Sequence, residues 1–342
     1  MGHPPANRRQ TYDVIVLGAG VAGSAAAYAL AATERVLVLE QHRFLHAKGS
    51  SHGGSRIFRY AYEDERYVRL ALAAEAGWRA LEHDQDEKLL TRTGGLDLGA
   101  ADSRELADIE RALRASGQRL ERLTPRETSR RFPAFRLAET QAALYQEDAG
   151  ILAATRCVNA LLRGAASRGA ELRDEEEVRA LEPSAGGVRV KTATGEYRAE
   201  RLVVTAGPWL ASVLAELRLP LRVEQQQVLY VRTENPRDFS PGRMPIFINR
   251  APDAEVYGFP LFDDPVAIKI SDHAGAPTIR LEERRTDLMR ERAEATLRRA
   301  QSFLPSLSGE LRHYELCLYT KTPDEHFILD RHPEHENVVI GG

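Results

Sequence analysis

Three glycines close to the start of the chain have the spacing of a nucleotide-binding loop. Gly18, Gly20 and Gly23 form the pattern G-x-G-x-x-G directly after an apolar run. In this pattern the first glycine allows a tight turn, the second lets a pyrophosphate approach the backbone, and the third lets a helix pack on a strand. Glu40 follows where such loops place an acceptor for a ribose 2′-hydroxyl, which disfavours the 2′-phosphate of NADP. The spacing predicts a dinucleotide site, and its place near the amino terminus favours FAD over NAD.

A basic loop follows Glu40. It reads QHRFLHAKGSSHGGSRIFRYAY over residues 41–62, and it has too few apolar positions for us to expect it in the core. Arg56 and Arg59 lie three residues apart, with His52 and Ser55 beside them. Because an arginine fork can bind a carboxylate through two hydrogen bonds, the loop is a candidate anchor for an acidic small molecule. A solvated basic loop with helix-capping serines is the alternative that these residues leave open.

A charged side chain interrupts an apolar strand further along the chain. Lys269 lies inside the run from Val266 to Ile270, with Tyr257 and His273 nearby in sequence. A lysine in this setting either snorkels to solvent along a strand edge or points its charge into a site on one face of the sheet.

The glycine loop needs parallel strands and a helix to hold it. The β-branched run from Val14 to Leu17 predicts a buried strand, the alanine-rich stretch from Ala22 to about Ala32 a helix, and Arg35 to Leu39 a second strand. Further on, Val178 to Thr205 is typical of β-hairpins and ends in a strand, which Gly207 follows. We expect this second junction to lie against the cofactor, so that Val178 and Gly207 contact it.

A second domain is predicted from the strands that begin near Leu221. They follow one another without intervening helices, which describes an antiparallel sheet, and a long helix is expected from Arg285 to Phe303. The predicted fold is α/β plus α+β: a Rossmann-like FAD-binding domain with an inserted substrate domain built on a mostly antiparallel sheet. We assign residues 1–88, 148–220 and 318–342 to the first domain and residues 89–147 and 221–317 to the second.

The composition argues against several classes of protein. The chain has 342 residues and a formal net charge of -3, which gives no electrostatic reason to bind nucleic acid or an anionic membrane. No apolar run approaches the roughly twenty residues of a membrane span, and we expect a cytoplasmic protein. The two cysteines, Cys157 and Cys317, are far apart in sequence, so no disulfide framework and no metal site are predicted. From composition alone, each is a small buried hydrophobe.

Several stretches resemble the monomeric sarcosine oxidase and N-methyl amino acid oxidase family of flavoproteins, which is related to D-amino acid oxidase. The resemblance runs along nearly the whole chain. Its most specific parts are the glycine loop, GSSHGGSRIFRYAY, the VYGFP strand with its downstream lysine, and CLYTKTPDEHFILDRHPEHENVVI. It implies an FAD-dependent oxidase that acts on a small secondary amino acid such as sarcosine, uses O2 as acceptor, releases hydrogen peroxide and is a monomer.

The resemblance also implies how FAD is held. Cys317 would carry it covalently, through a thioether to the flavin 8α-methyl group. His52 and Arg56 would lie against the flavin ring. Ser55 stands where a threonine is more usual in the family, and it keeps the hydroxyl.

For the substrate, the resemblance implies that Arg59 binds the carboxylate and that Tyr257, His273 and Tyr319 line the pocket. The neutral amine would give a hydride equivalent to flavin N5, and water would hydrolyse the imine. Lys269 would lie near N5, where oxygen is activated. A fixed ammonium there would stabilise the superoxide anion that forms as O2 is reduced.

The resemblance sets an expectation for the end of the chain as well. Family members continue beyond the position of Gly342 with a glycine-rich loop, a second carboxylate-binding lysine and a helix whose amino terminus faces the flavin pyrimidine. We therefore expect either a truncated chain or a poor enzyme. The alternative functions are an oxidase of a bulkier amino acid (a fructosyl amino acid, pipecolate or N-methyltryptophan), a flavin-binding or flavin-free protein with little activity, and an NAD dehydrogenase.

Overall fold

The computed structural model describes residues 11–262, 264–272 and 275–342, with the backbone alone at residue 253. The α-helices in this part of the chain are α1 (Val21–Leu30), α2 (Glu65–Gln85), α3 (Arg104–Ala115), α4 (Pro125–Arg131), α5 (Ala154–Ser167), α6 (Leu210–Val213) and α7 (Arg290–Gln301). Their bounds follow local chemistry. At α4, for example, the Thr124 hydroxyl accepts the N–H of Glu127 while the Glu127 carboxylate accepts the N–H of Thr124.

A mainly parallel sheet holds the glycine loop. Its strands are β1 (Thr11–Leu17), β2 (Val36–Leu39), β9 (Glu171–Arg173), β10 (Val178–Ser184), β11 (Gly187–Thr192), β12 (Glu196–Val204), β19 (Leu329–Arg331) and β20 (Val338–Gly341). They lie in the order β10-β11-β12-β1-β2-β9, and β20 pairs with both β12 and β19. At the centre, β1 runs parallel to β2 and β12, with Ile15 between Leu37 and Leu202. The carboxyl ends of these three strands therefore meet at one edge of the sheet.

A second sheet is mostly antiparallel. Its strands are β5 (Gly95–Ala100), β6 (Glu121–Leu123), β7 (Gln141–Gln146), β13 (Arg222–Thr233), β14 (Ile246–Asn249), β15 (Val256–Gly258), β16 (Ala267–Asp272), β17 (Thr278–Ile279) and β18 (Leu307–Lys321). They lie in the order β17-β13-β16-β15-β14-β5-β7-β6, with β18 on the other edge of β13. Only the pairing of β14 with β5 is parallel among the described strands of this sheet. Helix α7 packs on one face, where Ala293 and Ala300 join the core cluster of Ile268 and Ile270.

A small third sheet corrects one prediction about the basic loop. It consists of β3 (Arg56–Phe58), β4 (Leu90–Arg92) and β8 (Gly150–Leu152), in the order β3-β8-β4. The expectation that residues 41–62 lie outside the core is wrong for their second half, because Phe58, Tyr60 and Ala61 are buried. They pack with α2, α3 and α5 in one hydrophobic cluster, which the low apolar content of the loop did not indicate.

The predicted fold class is confirmed: a parallel α/β sheet is combined with a mostly antiparallel sheet. The first sheet draws its strands from residues 11–39, 171–204 and 329–341, and the second from residues 95–146 and 222–321. The exact domain boundaries stay a prediction. Within the described ranges, no helix is both long and apolar enough to cross a lipid bilayer.

Candidate active site

The glycine loop connects β1 to α1, and its first and third glycines leave no room for a side chain. Gly18 has a φ of +96°, and a Cβ on it would lie 2.4 Å from the carbonyl oxygen of Thr205. A Cβ on Gly23 would lie 1.8 Å from the carbonyl oxygen of Gly18. Gly20 precedes α1, whose first N–H group, that of Val21, donates to Ser51 Oγ at 3.0 Å. The loop therefore has the close strand-helix packing that its spacing predicts.

Glu40 follows β2, and its carboxylate lies beside the glycine loop. Oε2 accepts the N–H of Ala19 at 2.9 Å, and Oε1 accepts the N–H of His42 at 2.9 Å. Oε1 also lies 3.4 Å from Nε2 of His46. Burial alone would raise the pKa of Glu40, but the hydrogen bonds from His46, Ala19 and His42 outweigh burial and hold the pKa below its usual value. Glu40 is therefore a fixed, ionised acceptor at neutral pH.

A cavity of about 830 Å³ begins at the glycine loop and runs to the end of β18. Glu40 lies in its wall together with Val178, which opens β10, and Gly207, which follows β12 with a φ of +52°. His52 and Tyr319 line the far end. The two residues that the second strand-glycine junction predicted as cofactor contacts therefore face the same space as the glycine loop.

Ser50, Ser51 and His52 of the basic loop line the cavity, and Arg56 binds back to two of them. Arg56 Nη2 donates to the carbonyl oxygens of Ser50 at 2.8 Å and His52 at 3.0 Å. Ser55 is fully buried, and neither its Oγ nor Nδ1 of His52 has a hydrogen-bond partner. Burial lowers the pKa of His52, and the charges of Arg56 and Arg284 lower it further, so the ring is neutral at pH 7. Ser55 is buried and the other residues from 50 to 56 are half-buried, so this segment is not a fully solvated loop.

Lys269 joins the basic loop to the second sheet. Its side chain is only 4% exposed, and Nζ donates to the carbonyl oxygen of Ser55 at 2.9 Å. Nζ also lies 5.0 Å from the ring centroid of Phe259. The lysine therefore does not snorkel to solvent. Its ammonium group lies at the contact between the loop and the sheet.

Strand register brings Cys317 to the same face of the sheet as Lys269. On β13, Gln226 is paired with Cys317 of β18, and Tyr230 is paired with Lys269 of β16. Directly paired residues share a face, and so do residues two apart on one strand. Tyr257 lies on this face too, because it is paired with Ser271, two residues from Lys269. The face opposite α7 therefore holds the predicted attachment cysteine, the lysine and a pocket tyrosine.

The two cysteines have different surroundings. Burial raises the pKa of the Cys317 thiol, and the nearby charges of Arg56 and Lys269 oppose that rise. Cys157 lies in the hydrophobic cluster around α5, where burial raises the pKa of its thiol to about 12. Cys157 is thus a small buried hydrophobe, as composition predicted, whereas Cys317 lies beside cations.

The hydroxyl groups of Tyr257 and Tyr319 meet at 3.2 Å. Burial raises the pKa of both, so both are neutral hydrogen-bonding groups at neutral pH. Tyr319 is two residues beyond Cys317 on β18, and its ring packs against the cluster that contains Cys317. The two tyrosines therefore lie over the strands between β15 and β18.

Arg59 is turned toward protein groups. It donates to the carbonyl oxygen of Ala61, its Nη1 lies 3.6 Å from Oδ1 of Asp97, and its guanidinium lies 4.3 Å from the ring centroid of Tyr62. Asp97 also pairs with Arg250 at 2.8 Å. The carboxylate that Arg59 contacts in this structure is thus Asp97. Its predicted role in substrate binding stays a prediction. So does that of His273, which lies outside the described residues.

Sequence reasoning missed three residues of this region. His46 lies against Glu40; Thr205 Oγ1 donates to the carbonyl oxygen of Leu17 at 2.9 Å and ties β12 to the glycine loop. Gln226 lies beside Cys317 with its side-chain Nε2 buried and without a partner. A threonine at the end of an apolar strand and a glutamine inside one were visible signals, but their partners are distant in sequence.

The cavity fits a dinucleotide such as FAD. Its volume lies in the upper part of the roughly 300–1,000 Å³ typical of cofactor sites. The glycine loop leaves space for phosphates, Glu40 is an ionised acceptor beside it, and Nδ1 of His52, another lining residue, is buried without a protein partner. In the described ranges, no three His, Cys, Asp or Glu side chains group as metal ligands.

Comparison with known proteins agrees with this reading of the cavity. Residues 13–342 match the family described as FAD dependent oxidoreductase. The chain is 36% identical to a monomeric sarcosine oxidase of Streptomyces avermitilis, covering 96% of this chain and 87% of that protein. It is 37% identical to the human peroxisomal sarcosine oxidase, over 98% of this chain and 88% of that one. Among solved structures, that of NikD, an amino acid oxidase of nikkomycin biosynthesis, has a TM-score of 0.86 at 26% identity, covering 97% of this chain and 89% of NikD. The chain therefore belongs to the FAD-dependent oxidoreductase family, and its predicted kinship with the sarcosine and N-methyl amino acid oxidases is confirmed.

Proposed function

We propose that the protein oxidises a small secondary amino acid, such as sarcosine, with O2. The reaction would consume an N-methyl amino acid, O2 and water and release the primary amino acid, formaldehyde and H2O2. The observation that carries this proposal is the hydrogen bond from Lys269 to the Ser55 carbonyl oxygen. It joins the basic loop to the lysine-bearing sheet, and His52 of the same loop lines the cavity that begins at the dinucleotide loop.

FAD would be held along this cavity. Gly18, Gly20 and Gly23 would receive the pyrophosphate, and Glu40 would accept a ribose hydroxyl. Val178 and Gly207 would contact the cofactor from the opposite wall. FAD supplies the redox chemistry: it takes two electrons from the amine and passes them to O2.

The residues around the flavin end would position the flavin ring and stabilise the charge that develops beside it. His52, Ser55 and Arg56 would lie against the ring, and the buried donors and acceptors among them support this, since they lack protein partners. Lys269 would stabilise the anion that develops as O2 is reduced. Its ammonium is buried, and a charge acts far more strongly there than in water.

The substrate would lie over the face that carries Tyr257 and Tyr319. Their hydroxyl groups are neutral and can hydrogen-bond to the amine or the carboxylate. His273 is proposed as a further wall of the pocket. Arg59 would bind the carboxylate by exchanging Asp97 for the substrate.

We also propose that Cys317 holds FAD through a thioether to the 8α-methyl carbon. Forming this C–S bond removes one hydrogen from the thiol and one from the methyl group. O2 takes up both hydrogens with their electrons as H2O2, so the attachment is balanced. The cations Arg56 and Lys269 support this assignment, because they favour the thiolate that forms the bond.

Three further parts of the prediction belong to the same proposal. The chain would divide into an FAD-binding domain (residues 1–88, 148–220 and 318–342) and a substrate domain (residues 89–147 and 221–317). It would act as a monomer. Its two distant cysteines support a cytoplasmic location, where disulfides are rare.

The test is a visible absorption spectrum of the purified protein before and after addition of sarcosine without oxygen. We expect a flavin band that bleaches, and stoichiometric H2O2 once air is admitted. N-methyltryptophan and pipecolate, assayed side by side, report on the size of the substrate. A protein that carries flavin but is bleached by none of these amines would contradict the proposed function.

A further inference from the structure

Three consecutive glutamines on β13 have different environments. The side chains of Gln225 and Gln227 each bind the backbone N–H and C=O of one residue, Arg285 and Met289 respectively. Gln226 lies between them, so its side chain is on the other face of the sheet, and the residue is completely buried. Its Nε2 has no hydrogen-bond partner. Because a buried donor without an acceptor is costly, this amide group is a candidate ligand contact.

The orientation of the Gln226 amide is fixed by an arginine. Arg292 Nη2 lies 3.0 Å from Gln226 Oε1, and a guanidinium can only donate, so the oxygen must be the atom that faces it. Arg292 is itself held by Asp272 at 2.9 Å and by the carbonyl oxygen of Gly275 at 2.6 Å. Asp272 is paired with Arg299 as well, at 3.2 Å. The NH2 group of Gln226 therefore points away from Arg292.

Strand register places Gln226 beneath the two tyrosines. The antiparallel pairing puts Tyr257 in line with Val228 of β13, and Tyr319 in line with Glu224. Gln226 occupies the position between these two lines. The tyrosine hydroxyl groups, which come from strands on either side of β13, meet at 3.2 Å. They therefore meet over the row that contains Gln226.

We propose that Gln226 is a binding residue for the substrate carboxylate, donating to it from Nε2. The inference rests on the proposed function and extends it by naming a contact for the acid group. An NH2 group requires an acceptor, and a carboxylate is the strongest acceptor that an amino acid offers. The cation predicted for this task, Arg59, contacts Asp97 in this structure. Gln226 would thus bind the carboxylate through its neutral NH2 group, whose orientation Arg292 fixes.

The experiment measures the dissociation constant of methoxyacetate, a sarcosine isostere that lacks the amine, from its perturbation of the flavin absorption band. In Gln226→Glu the contact with Arg292 is retained while the donor becomes an anion. In Gln226→Leu the donor is removed without adding charge. We expect the dissociation constant to rise about tenfold or more in Gln226→Leu, as for loss of one hydrogen bond to a charged acceptor, and further in Gln226→Glu.

Arg292→Met and Arg299→Met form a matched pair, because both arginines bind Asp272 but only Arg292 contacts Gln226. Arg292→Met should weaken methoxyacetate binding, and Arg299→Met should leave it unchanged. Equal losses in both, with equal falls in melting temperature, would show a structural network and overturn the proposal.

The flavin itself offers carbonyl acceptors, and the same variants distinguish this source. If Nε2 served the cofactor, Gln226→Leu would shift the flavin absorption maximum and lower the flavin content while the dissociation constant of methoxyacetate stayed the same. That result would overturn the assignment to substrate and leave the proposed oxidase activity intact. A parent protein whose flavin band responds to no amino acid and no carboxylate would overturn both.

Discussion

The two ends of the cavity differ in how their buried polar groups are satisfied. At the glycine loop, the protein satisfies most of them: Ser24 Oγ donates to the carbonyl oxygen of Ala19 at 3.0 Å, Thr205 Oγ1 to that of Leu17 at 2.9 Å, and both oxygens of Glu40 accept backbone N–H groups. His42 Nε2, beside Glu40, is the exception among these groups. On the side of the second sheet, His52 Nδ1 in the cavity wall is buried without a partner, and so are Ser55 Oγ and Gln226 Nε2, which do not line the cavity.

We call the glycine end the template, because close packing fixes its shape, and the sheet end the reactive surface, because buried polar groups there lack partners. Each buried polar group without a partner costs about 1–3 kcal/mol, so such groups persist where a ligand completes them. The glycine end is fixed by steric fit at Gly18 and Gly23, and under the proposed function it would bind the dinucleotide by shape. The sheet end holds charge and unused donors, and it can respond to what binds there. Under the proposed function, binding of the dinucleotide and oxidation of the substrate would therefore depend on different regions of the protein.

The largest effect is expected from filling the template. In Gly23→Ala the new Cβ would lie 1.8 Å from the Gly18 carbonyl oxygen and 2.5 Å from Thr205 Oγ1, so α1 must move away from β1. We expect a loss of about 3 kcal/mol or more in the free energy of unfolding, and no bound flavin after purification. Thermal unfolding and the ratio of flavin to protein absorbance measure both.

Gly77→Ala is the matched control for that change. Gly77 lies inside α2, and an added Cβ meets nothing within 4 Å. Replacing a helical glycine with alanine should stabilise the protein by about 0.5–1 kcal/mol and leave flavin binding unchanged. A yellow Gly23→Ala protein that melts with the parent would mean that the loop is not a rigid template.

What the sequence predicts best are features decided by neighbours in the chain. The glycine loop and its flanking strands depend on residues a few positions apart. Lys269 between apolar neighbours is a similar case, since period-2 alternation alone puts it on the face opposite Ile268 and Ile270.

Features that depend on distant residues were predicted poorly. The helix expected from Arg285 begins at Arg290, because the side chains of Gln225 and Gln227 bind the backbone of residues 285 and 289 and hold that segment out of the helix. Likewise, nothing near Arg59 in sequence indicates that it contacts Asp97. The glycine end of the site is local and was predicted. The partners at the sheet end are set by long-range register.

The next largest effect is expected from removing the charge at the sheet end. Lys269→Met keeps an apolar stem of similar length and deletes the ammonium. We expect reoxidation of the reduced flavin by O2 to slow by about 10²–10³-fold, as for loss of one preorganised electrostatic group, while anaerobic reduction by sarcosine changes far less. Stopped-flow absorbance measures the two half-reactions separately.

Lys191→Met is the control for Lys269→Met, because Lys191 pairs with Glu182 on the surface of the first sheet. It should alter neither half-reaction. Equal slowing of both half-reactions in Lys269→Met would mean that the lysine only packs the basic loop against the sheet. That result would contradict a separate chemical role for the sheet end.

The smallest effect is a pH dependence at Cys317, which would bind the flavin that the template end positions. Burial raises the pKa of this thiol, and only the thiolate forms the C–S bond, so the reactive fraction at neutral pH is small. As pH rises toward the thiol pKa, that fraction grows about tenfold per unit. When protein expressed without flavin is mixed with FAD, the rate of attachment should rise accordingly between about pH 7 and 9. Acid precipitation followed by the absorbance of the pellet measures it.

Cys317→Ser should leave a colourless pellet at every pH, and Cys157→Ser, which changes a thiol buried in the hydrophobic cluster around α5, should match the parent protein. A rate that is flat over this range would mean that the attachment is limited by binding at the template end and not by ionisation at the sheet end.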